Sequence, residues 1–503
     1  MGSKNTWFLQ DVRIEKIIYG WVGLATLENG KKVLIKGGAL PGSVVDCRIV
    51  KRRKDYVEAH IVMVKSYDPA YADGEIFCPH YYIPLGVSKE NEKTHKIWCG
   101  WCKWQILSYQ KQLEIKESIV RESFRKLEGI DFLPIVPSPL IKGYRNKIEF
   151  SFWKYISQRD NLHAEWNLWF HKQGEFSKIV DVDSCGLIDA ESNKLYEYMK
   201  KLCSESGIPV YDQMRHSGFF RHLVLRRGVN TDQFLINLAV ADGQITDEQR
   251  VLREAFVANL KKDDYLTKTV NTFVVTYNNG LADIIRSDNY RTELLWGDGY
   301  MFEKLLFPSK DSEDYAELNF RISPYSFFQT NTVGAQQLFW HAAQMIWLLR
   351  HDTILDLYCG AGSIWLSFLK MGIGKSVIGI ETVSESISDA WHNAKINGLE
   401  DHAMFLVWQA EKMFVQHPQL TDKCKNLGLI IVDPPREWLH KNVVDFLIRM
   451  KQEYQSKILY ISCNPVTMAR DIELFAQAEI HCKTLQAVDM FPHTHHIEVI
   501  GVL

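Results

Sequence analysis

Ile354-Leu355-Asp356-Leu357-Tyr358-Cys359-Gly360-Ala361-Gly362-Ser363 decides the fold. An apolar run ends in an acid, turns through two glycines and passes into a helical pattern. That is the βα step of an open α/β sheet, whose crevice lies at the carboxyl ends of its strands. The glycines let backbone approach a ligand closely, and the helix start supplies unpaired amides. The spacing is not Gly-x-Gly-x-x-Gly, which argues against a dinucleotide. Ser376 to Ile380, Leu429 to Val432 and Lys457 to Ile461 repeat the strand pattern, each followed by a helical pattern or loop. From Phe320 onward the chain therefore reads as a doubly wound, mainly parallel sheet, and the fold class is α/β.

Chemistry-bearing residues stand at the ends of these strands. Glu381 follows Val377-Ile378-Gly379-Ile380, where a carboxylate can take both hydroxyls of a ribose. Asp433-Pro434-Pro435 closes Leu429 to Val432, and the prolines stiffen that edge of the pocket. Cys463, in Ser462-Cys463-Asn464-Pro465, breaks the strand Ile458-Leu459-Tyr460-Ile461, and Glu498 follows 35 positions later in His496-Ile497-Glu498-Val499. A thiol with a carboxylate in reach points to covalent catalysis. The competing reading is a buried cysteine packed as a small hydrophobe, and the other three motifs weigh against it.

A chain of 503 residues is too long for one core and suggests about three domains. Hydrophobic content of 46% with 24% charged residues is ordinary for a globular protein, and no apolar stretch is long enough to span a bilayer. The start lacks an apolar signal core. Gly2 and Thr6 fit a permissive myristoylation pattern, against a plain flexible start or a cloning remnant. Ten cysteines without a secretory signal point to a reducing cytoplasm. A net charge of -2 argues against a globally basic nucleic-acid binder. Residues 1 to 66 nevertheless carry 12 Lys+Arg against 6 Asp+Glu, including Lys51-Arg52-Arg53-Lys54. Arg221-His222-Leu223-Val224-Leu225-Arg226-Arg227 is a second basic cluster. Such local clusters fit phosphate contacts, or simply solvated charge.

Ahead of the parallel sheet, five β-rich runs between Val12 and Val64 predict a small barrel of the OB type. Gln105 to Leu127 reads as an amphipathic helix, within a helical region 105–133 expected to pack on the catalytic domain. Strands are expected at Lys147 to Trp153, Phe234 to Val240 and Thr272 to Tyr277. Cys99-x-x-Cys102 with Cys78 upstream and Cys185 downstream offers four thiolates, a donor set for a [4Fe-4S] cluster or for tetrahedral zinc. No Cys-x-x-x-Cys-x-x-Cys run is present, which argues against radical chemistry.

In order along the chain stand Ser326-Phe327-Phe328-Gln329-Thr330-Asn331, the Asp356 to Gly360 run, Glu381, Asp433-Pro434-Pro435, Ser462-Cys463-Asn464-Pro465 and His496-Ile497-Glu498-Val499. Together they resemble the S-adenosylmethionine-dependent RNA uracil-C5 methyltransferases, in particular the bacterial 23S rRNA branch with a TRAM domain and an iron–sulfur cluster. The resemblance implies three domains: a TRAM-like OB barrel over 1–68, a cysteine-cluster and central α/β region over 69–310, and a class I, Rossmann-like methyltransferase domain over 311–503. It implies Cys463 as nucleophile and Glu498 as base, with His496 either assisting or structural. Gln329, Tyr358, Ser363, Glu381 and Asp433 would contact S-adenosylmethionine or the uracil pocket, and Arg145, in Tyr144-Arg145-Asn146-Lys147, would lie near RNA. Phe327 would stack on the target base or serve as a core aromatic. Cys78, Cys99, Cys102 and Cys185 would hold the [4Fe-4S] cluster. Their spacing departs from the family's, since 20 residues separate Cys78 from Cys99, as an insertion around Tyr81 to Lys96 would explain.

The expected product is 5-methyluridine in 23S rRNA, made in the cytoplasm without membrane or obligate protein partner. Methylation of tRNA is the nearest alternative. The barrel and cysteine cluster favour rRNA, because the simpler tRNA enzymes resemble the catalytic part alone. A non-catalytic RNA-binding assembly factor and a cytosine-C5 methyltransferase are further alternatives, against which stand the intact Cys463 and Glu498 and the form of the nucleophile motif.

Overall fold

A computed structural model describes residues 7–38, 40–81, 99–154, 166–169, 171–172, 175–179, 182–243, 246–308, 315–347, 352–412, 427–436 and 438–503. The chain divides into two compact units. One comprises Met1–Ile141, Arg436–Trp438 and Ser462–Gly501, the other Lys142–Pro435, Leu439–Ile461 and Val502–Leu503. Most of the insertion proposed around Tyr81 to Lys96, and residues 1–6, lie outside the described residues.

The first unit opens with six strands: Phe8–Arg13 (β1), Lys16–Ile18 (β2), Val22–Thr26 (β3), Lys32–Lys36 (β4), Val44–Arg52 (β5) and Tyr56–Ser66 (β6). They are hydrogen-bonded in the order β1-β5-β6-β4-β3-β2. Alternate residues point inward, so Val33, Ile35, Val45, Cys47, Val57 and Ala59 form the core of this sheet. Burial pushes the Cys47 thiol up to about 12, and it packs there as a small hydrophobe. The run Val12 to Ile18, expected as one strand, is two. Ile14 N donates to Ser43 O and Glu15 N to Leu24 O, so the chain changes neighbours between β1 and β2.

The helix expected over 105–133 is shorter. Ser108 caps it by accepting from Lys111 N, it spans Tyr109–Ser123, and Gly129 at φ 72° breaks any continuation. Asp131–Val136 is a strand, paired in parallel with Thr484–Val488. The helix packs on the helix Pro465–Gln477 and on both Lys16–Ile18 and Asp131–Val136, all within the first unit.

The second unit holds a mixed sheet that includes Lys147–Lys154, Phe220–Arg227, Phe234–Val240, Thr272–Asn278 and Tyr290–Trp296. It also holds the parallel sheet. Thr353–Asp356 lies between Ser376–Glu381 and Leu427–Val432, with Ala403–Val407 beyond the former and Lys457–Ser462 beyond the latter, all parallel. The strand order reverses direction beside Thr353–Asp356, so Asp356 and the end of Leu427–Val432 flank the topological switch point. Among the described residues no helix is long and apolar enough to cross a membrane.

Candidate active site

At the switch point the glycine turn is built as the sequence requires. Gly360 and Gly362 both take positive φ, 52° and 92°. A Cβ on Gly362 would meet the Trp365 ring Nε1 at 2.8 Å. Any side chain there would therefore be strained twice over. Gly362 is also the N-cap of the helix Ser363–Lys370, which no side chain caps, so the amides at its start are available to a ligand. Asn393 Nδ2 pins the loop through Ala361 O at 2.9 Å.

Three carboxylates surround this turn. Glu381 Oε2 accepts from Gly360 N at 3.2 Å, and Oε1 accepts from the amides of Thr382 and Val383. Asp356 Oδ1 accepts from Tyr358 N, whereas its buried Oδ2 has no hydrogen-bond partner. Burial raises the Asp356 carboxyl to about 8, helped by the charges of Asp433 and Glu381, and raises Asp433 to about 7. An orphaned buried acceptor and the Glu381 carboxylate fit a ligand that carries hydroxyls and positive charge, and the free helix start fits an anionic group on the same ligand. Tyr358 and Ser363 flank the same turn, both half-buried. Cys359 is buried, its thiol driven well above the ordinary range by burial first and by Asp356 and Glu381 next. It belongs to the packing.

The loop that carries Phe327 and Gln329 is held by residues the sequence reading did not single out for this role. Asn146 Nδ2 donates to Gln329 O at 2.9 Å and to Thr332 Oγ1 at 2.8 Å, while Asn146 N donates to Thr330 O. Arg226 Nη2 donates to Ser326 O at 2.6 Å. Phe328 is 5% exposed and packs inward, whereas Phe327 is 65% exposed, which removes the core reading of Phe327. Arg145 is half-buried and its Nε donates to Lys147 O at 2.9 Å. The cluster Arg221 to Arg227 is not a solvated phosphate-binding face. Arg221 and Arg226 are buried and donate to backbone carbonyls, and Arg227 pairs with Asp189 and Asp232. Lys51 to Lys54, in contrast, are all exposed.

In the first unit, Cys463 is half-buried and directly precedes the helix Pro465–Gln477. Asn464 caps that helix by accepting from Val466 N and Thr467 N, Pro465 starts it, and Asn464 Nδ2 donates to Arg436 O at 3.1 Å. The positive end of the helix beside the thiol favours negative charge there. Glu498 is buried and opens the last strand. Tyr19, at the turn after β2, reaches this place. Its hydroxyl donates to Cys463 O at 3.3 Å, and burial raises its pKa, followed by the charges of Cys463 and Glu498 against the opposing charge of Arg436.

Glu498 is approached by the segment Asp489–Ile497, which the helix Tyr109–Ser123 clamps. Gln112 Oε1 accepts from His493 N at 2.7 Å, and Lys116 Nζ donates to Asp489 Oδ1 at 2.7 Å and to Phe491 O at 3.0 Å. Neither residue gave a functional signal in the sequence. His495 and His496 are depressed to about 4 and about 3, by burial first and then by Lys103, Lys116 and Arg436, with His495 also acting on His496. Both are neutral at physiological pH.

The proposed metal ligands are not brought together as a donor set. Among the described residues no three His, Cys, Asp or Glu side chains converge to hold a metal ion, although all four cysteines are described. Cys78 N is fixed by Gln105 Oε1 in the first unit and Cys185 N by Asn193 Oδ1 in the second. None of the nine described cysteines forms a disulfide.

The sequence of residues 312–503 matches the family described as tRNA (Uracil-5-)-methyltransferase. An uncharacterized RNA methyltransferase of Caldanaerobacter subterraneus is 32% identical over 98% of this chain and 98% of its own length. The chain belongs to the RNA (uracil-5-)-methyltransferase family. An uncharacterized RNA methyltransferase of Clostridium acetobutylicum is likewise 32% identical, over 97% of this chain and 96% of its own. Among solved structures, the tRNA (uracil-54, C5)-methyltransferase of Pyrococcus abyssi in complex with S-adenosyl-L-homocysteine superposes with a TM-score of 0.66 at 26% identity, covering 98% of this chain and all of that one. A tRNA enzyme thus matches along the whole chain. The expectation that tRNA enzymes resemble the catalytic part alone does not hold.

Proposed function

We propose that this methyltransferase uses S-adenosylmethionine to convert a uridine of structured RNA, 23S rRNA or tRNA, to 5-methyluridine, with Cys463 as nucleophile and Glu498 as base. The observation that supports the reading is the half-buried Cys463 before the start of a capped helix, with the Tyr19 hydroxyl donating to its carbonyl and the charges of Cys463 and Glu498 both acting on that hydroxyl.

Uracil C5 is a weak nucleophile. Cys463 Sγ bonds to C6, and the electron pair of the C5=C6 bond is driven into an enolate whose C5 is nucleophilic. S-adenosylmethionine, when bound, supplies the methyl group. Glu498 takes the proton from C5; the electrons of that C–H bond restore C5=C6, and Sγ–C6 breaks to release the thiolate. Burial lowers the basicity of His495 and His496, to about 4 and about 3, which makes them poor proton acceptors and leaves the transfer to Glu498. Gln329, Tyr358, Ser363, Glu381 and Asp433 would hold the cofactor, Glu381 through the ribose hydroxyls.

Lifting a base out of folded RNA costs a few kcal/mol of unstacking. Phe327, exposed beside Gln329, offers a stacking face, Arg145 a nearby cation, and the six-stranded sheet as a TRAM-type OB module, with Lys51 to Lys54, a phosphate-binding surface. A cytoplasmic location accords with an RNA substrate. A tRNA uridine is the second reading, favoured by the end-to-end likeness to the Pyrococcus abyssi enzyme. Incubation with rRNA and tRNA tests the mechanism: Glu498→Gln accumulates a covalent protein–RNA adduct, and Cys463→Ala forms none. An adduct with Cys463→Ala would refute the nucleophile.

A further inference from the structure

Tyr19 stands on the turn between β2 and β3 of the N-terminal sheet and Cys463 stands 444 residues later, yet the phenol hydroxyl donates to the Cys463 carbonyl at 3.3 Å. Three other relationships single out this contact. The Tyr19 ring packs against an apolar cluster that contains Ile17, Trp21 and Trp104, so the position of the hydroxyl is set by a packed core and not by a solvated loop. Cys463, Arg436 and Glu498 all act electrostatically on the hydroxyl, Cys463 and Glu498 raising its pKa and Arg436 lowering it. Asn464, the next residue, is fixed on its other side through Nδ2 to Arg436 O and through its cap of the helix Pro465–Gln477. The peptide that carries Cys463 is thus held from two directions, by Asn464 through its side chain and by Tyr19 through the carbonyl.

We propose that Tyr19 is a positioning residue for the nucleophile: its hydroxyl orients the Cys463 peptide so that Sγ meets C6 of the uracil. The inference rests on the covalent reading of Cys463 and Glu498. Tyr19 stays protonated through the working pH, because burial and two neighbouring acidic groups oppose its ionisation, and a protonated phenol keeps its donor role through the cycle. The N-terminal sheet is thereby more than an RNA-binding attachment, since it supplies a contact to the catalytic cysteine. Deletion of the sheet removes a support of the nucleophile as well as a binding surface.

The test uses total rRNA and tRNA from cells grown with 5-fluorouracil. At a fluorinated uridine C5 carries no proton for Glu498 to take, so the Cys463–C6 adduct persists and its rate of formation is read directly under single turnover. Tyr19→Phe keeps the ring and removes the hydroxyl; Ile17→Val disturbs the same packing without touching the hydroxyl. Loss of one positioning hydrogen bond lowers the rate of adduct formation by about five- to tenfold in Tyr19→Phe. RNA affinity by filter binding stays within about twofold, because only the chemical step is affected. Ile17→Val forms adduct at the parent rate. Equal adduct rates for Tyr19→Phe and the parent overturn the positioning role and leave the covalent reading intact. Equal slowing of both variants also overturns it, in favour of a packing role. If the parent forms no adduct at all, the covalent reading fails and the inference fails with it.

Discussion

Lys116 and Asp489, 373 residues apart, form an ion pair at 2.7 Å in which neither side chain reaches solvent. Burial pushes the Lys116 ammonium down and Asp489 pulls it back up. A second donor is used on Phe491 O. Removing one partner leaves the other charge buried, at a cost of about 3–5 kcal/mol. Lys116→Met is expected to lower the thermal midpoint by several degrees and to loosen the segment that leads into Glu498. Thermal denaturation with adduct kinetics checks both; an unchanged midpoint would mean the pair does not fix the segment.

Asn146 ties the Gln329 loop to the strand Lys147–Lys154 through two side-chain bonds, so Asn146→Ala removes a donor from the Gln329 carbonyl and one from the Thr332 hydroxyl, which keeps its own bond to Glu303. About 1–3 kcal/mol of loop stability goes with them. The expected result is weaker binding of S-adenosyl-L-homocysteine by calorimetry with the fold retained. Arg145→Ala, which leaves the Asn146 side-chain contacts in place, is expected to weaken RNA binding instead.

Asp356 and Asp433 set a pH dependence. Their carboxyls titrate at about 8 and about 7 in the ligand-free protein, so they are largely protonated at pH 6 and largely ionised at pH 9. A cationic sulfonium ligand favours the ionised forms and displaces protons as it binds. Affinity for S-adenosylmethionine is expected to rise from pH 6 to about 9 and then level off. A pH-independent dissociation constant over that range would mean neither acid faces the cationic ligand.

Phe327 offers an exposed ring on a loop whose other aromatic, Phe328, is buried. Base–aromatic stacking contributes about 1–3 kcal/mol, so Phe327→Ala is expected to reduce kcat/KM for RNA by roughly tenfold or more. Cofactor affinity should be unchanged, and a loss of cofactor affinity would make Phe327 a support of the loop.

The strand ends were the legible part of the chain. Asp356, Glu381, Asp433 and Cys463 could be placed because apolar runs ending in acids, glycines or a thiol mark the carboxyl edge of a parallel sheet, and the fold puts them there. The supports were not legible. Gln112, Lys116, Asn146 and Tyr19 act on segments distant in sequence, and polarity alone gives no sign that a lysine or a glutamine on an amphipathic helix will turn inward. The basic cluster at Arg221 to Arg227 misled for the same reason, since a strand rich in arginine looks solvated until its guanidinium groups find buried carbonyls. The cysteines are a different case: four thiols in plausible order do not by themselves say whether the chain gathers them.

The most direct test of uridine-C5 methylation through Cys463 is nucleoside mass spectrometry of rRNA and tRNA after incubation with the protein and isotopically labelled S-adenosylmethionine. Labelled 5-methyluridine from the parent protein and none from Cys463→Ala is the predicted result, with the labelled RNA class naming the substrate. Label in a nucleoside other than 5-methyluridine, or undiminished label with Cys463→Ala, would contradict it.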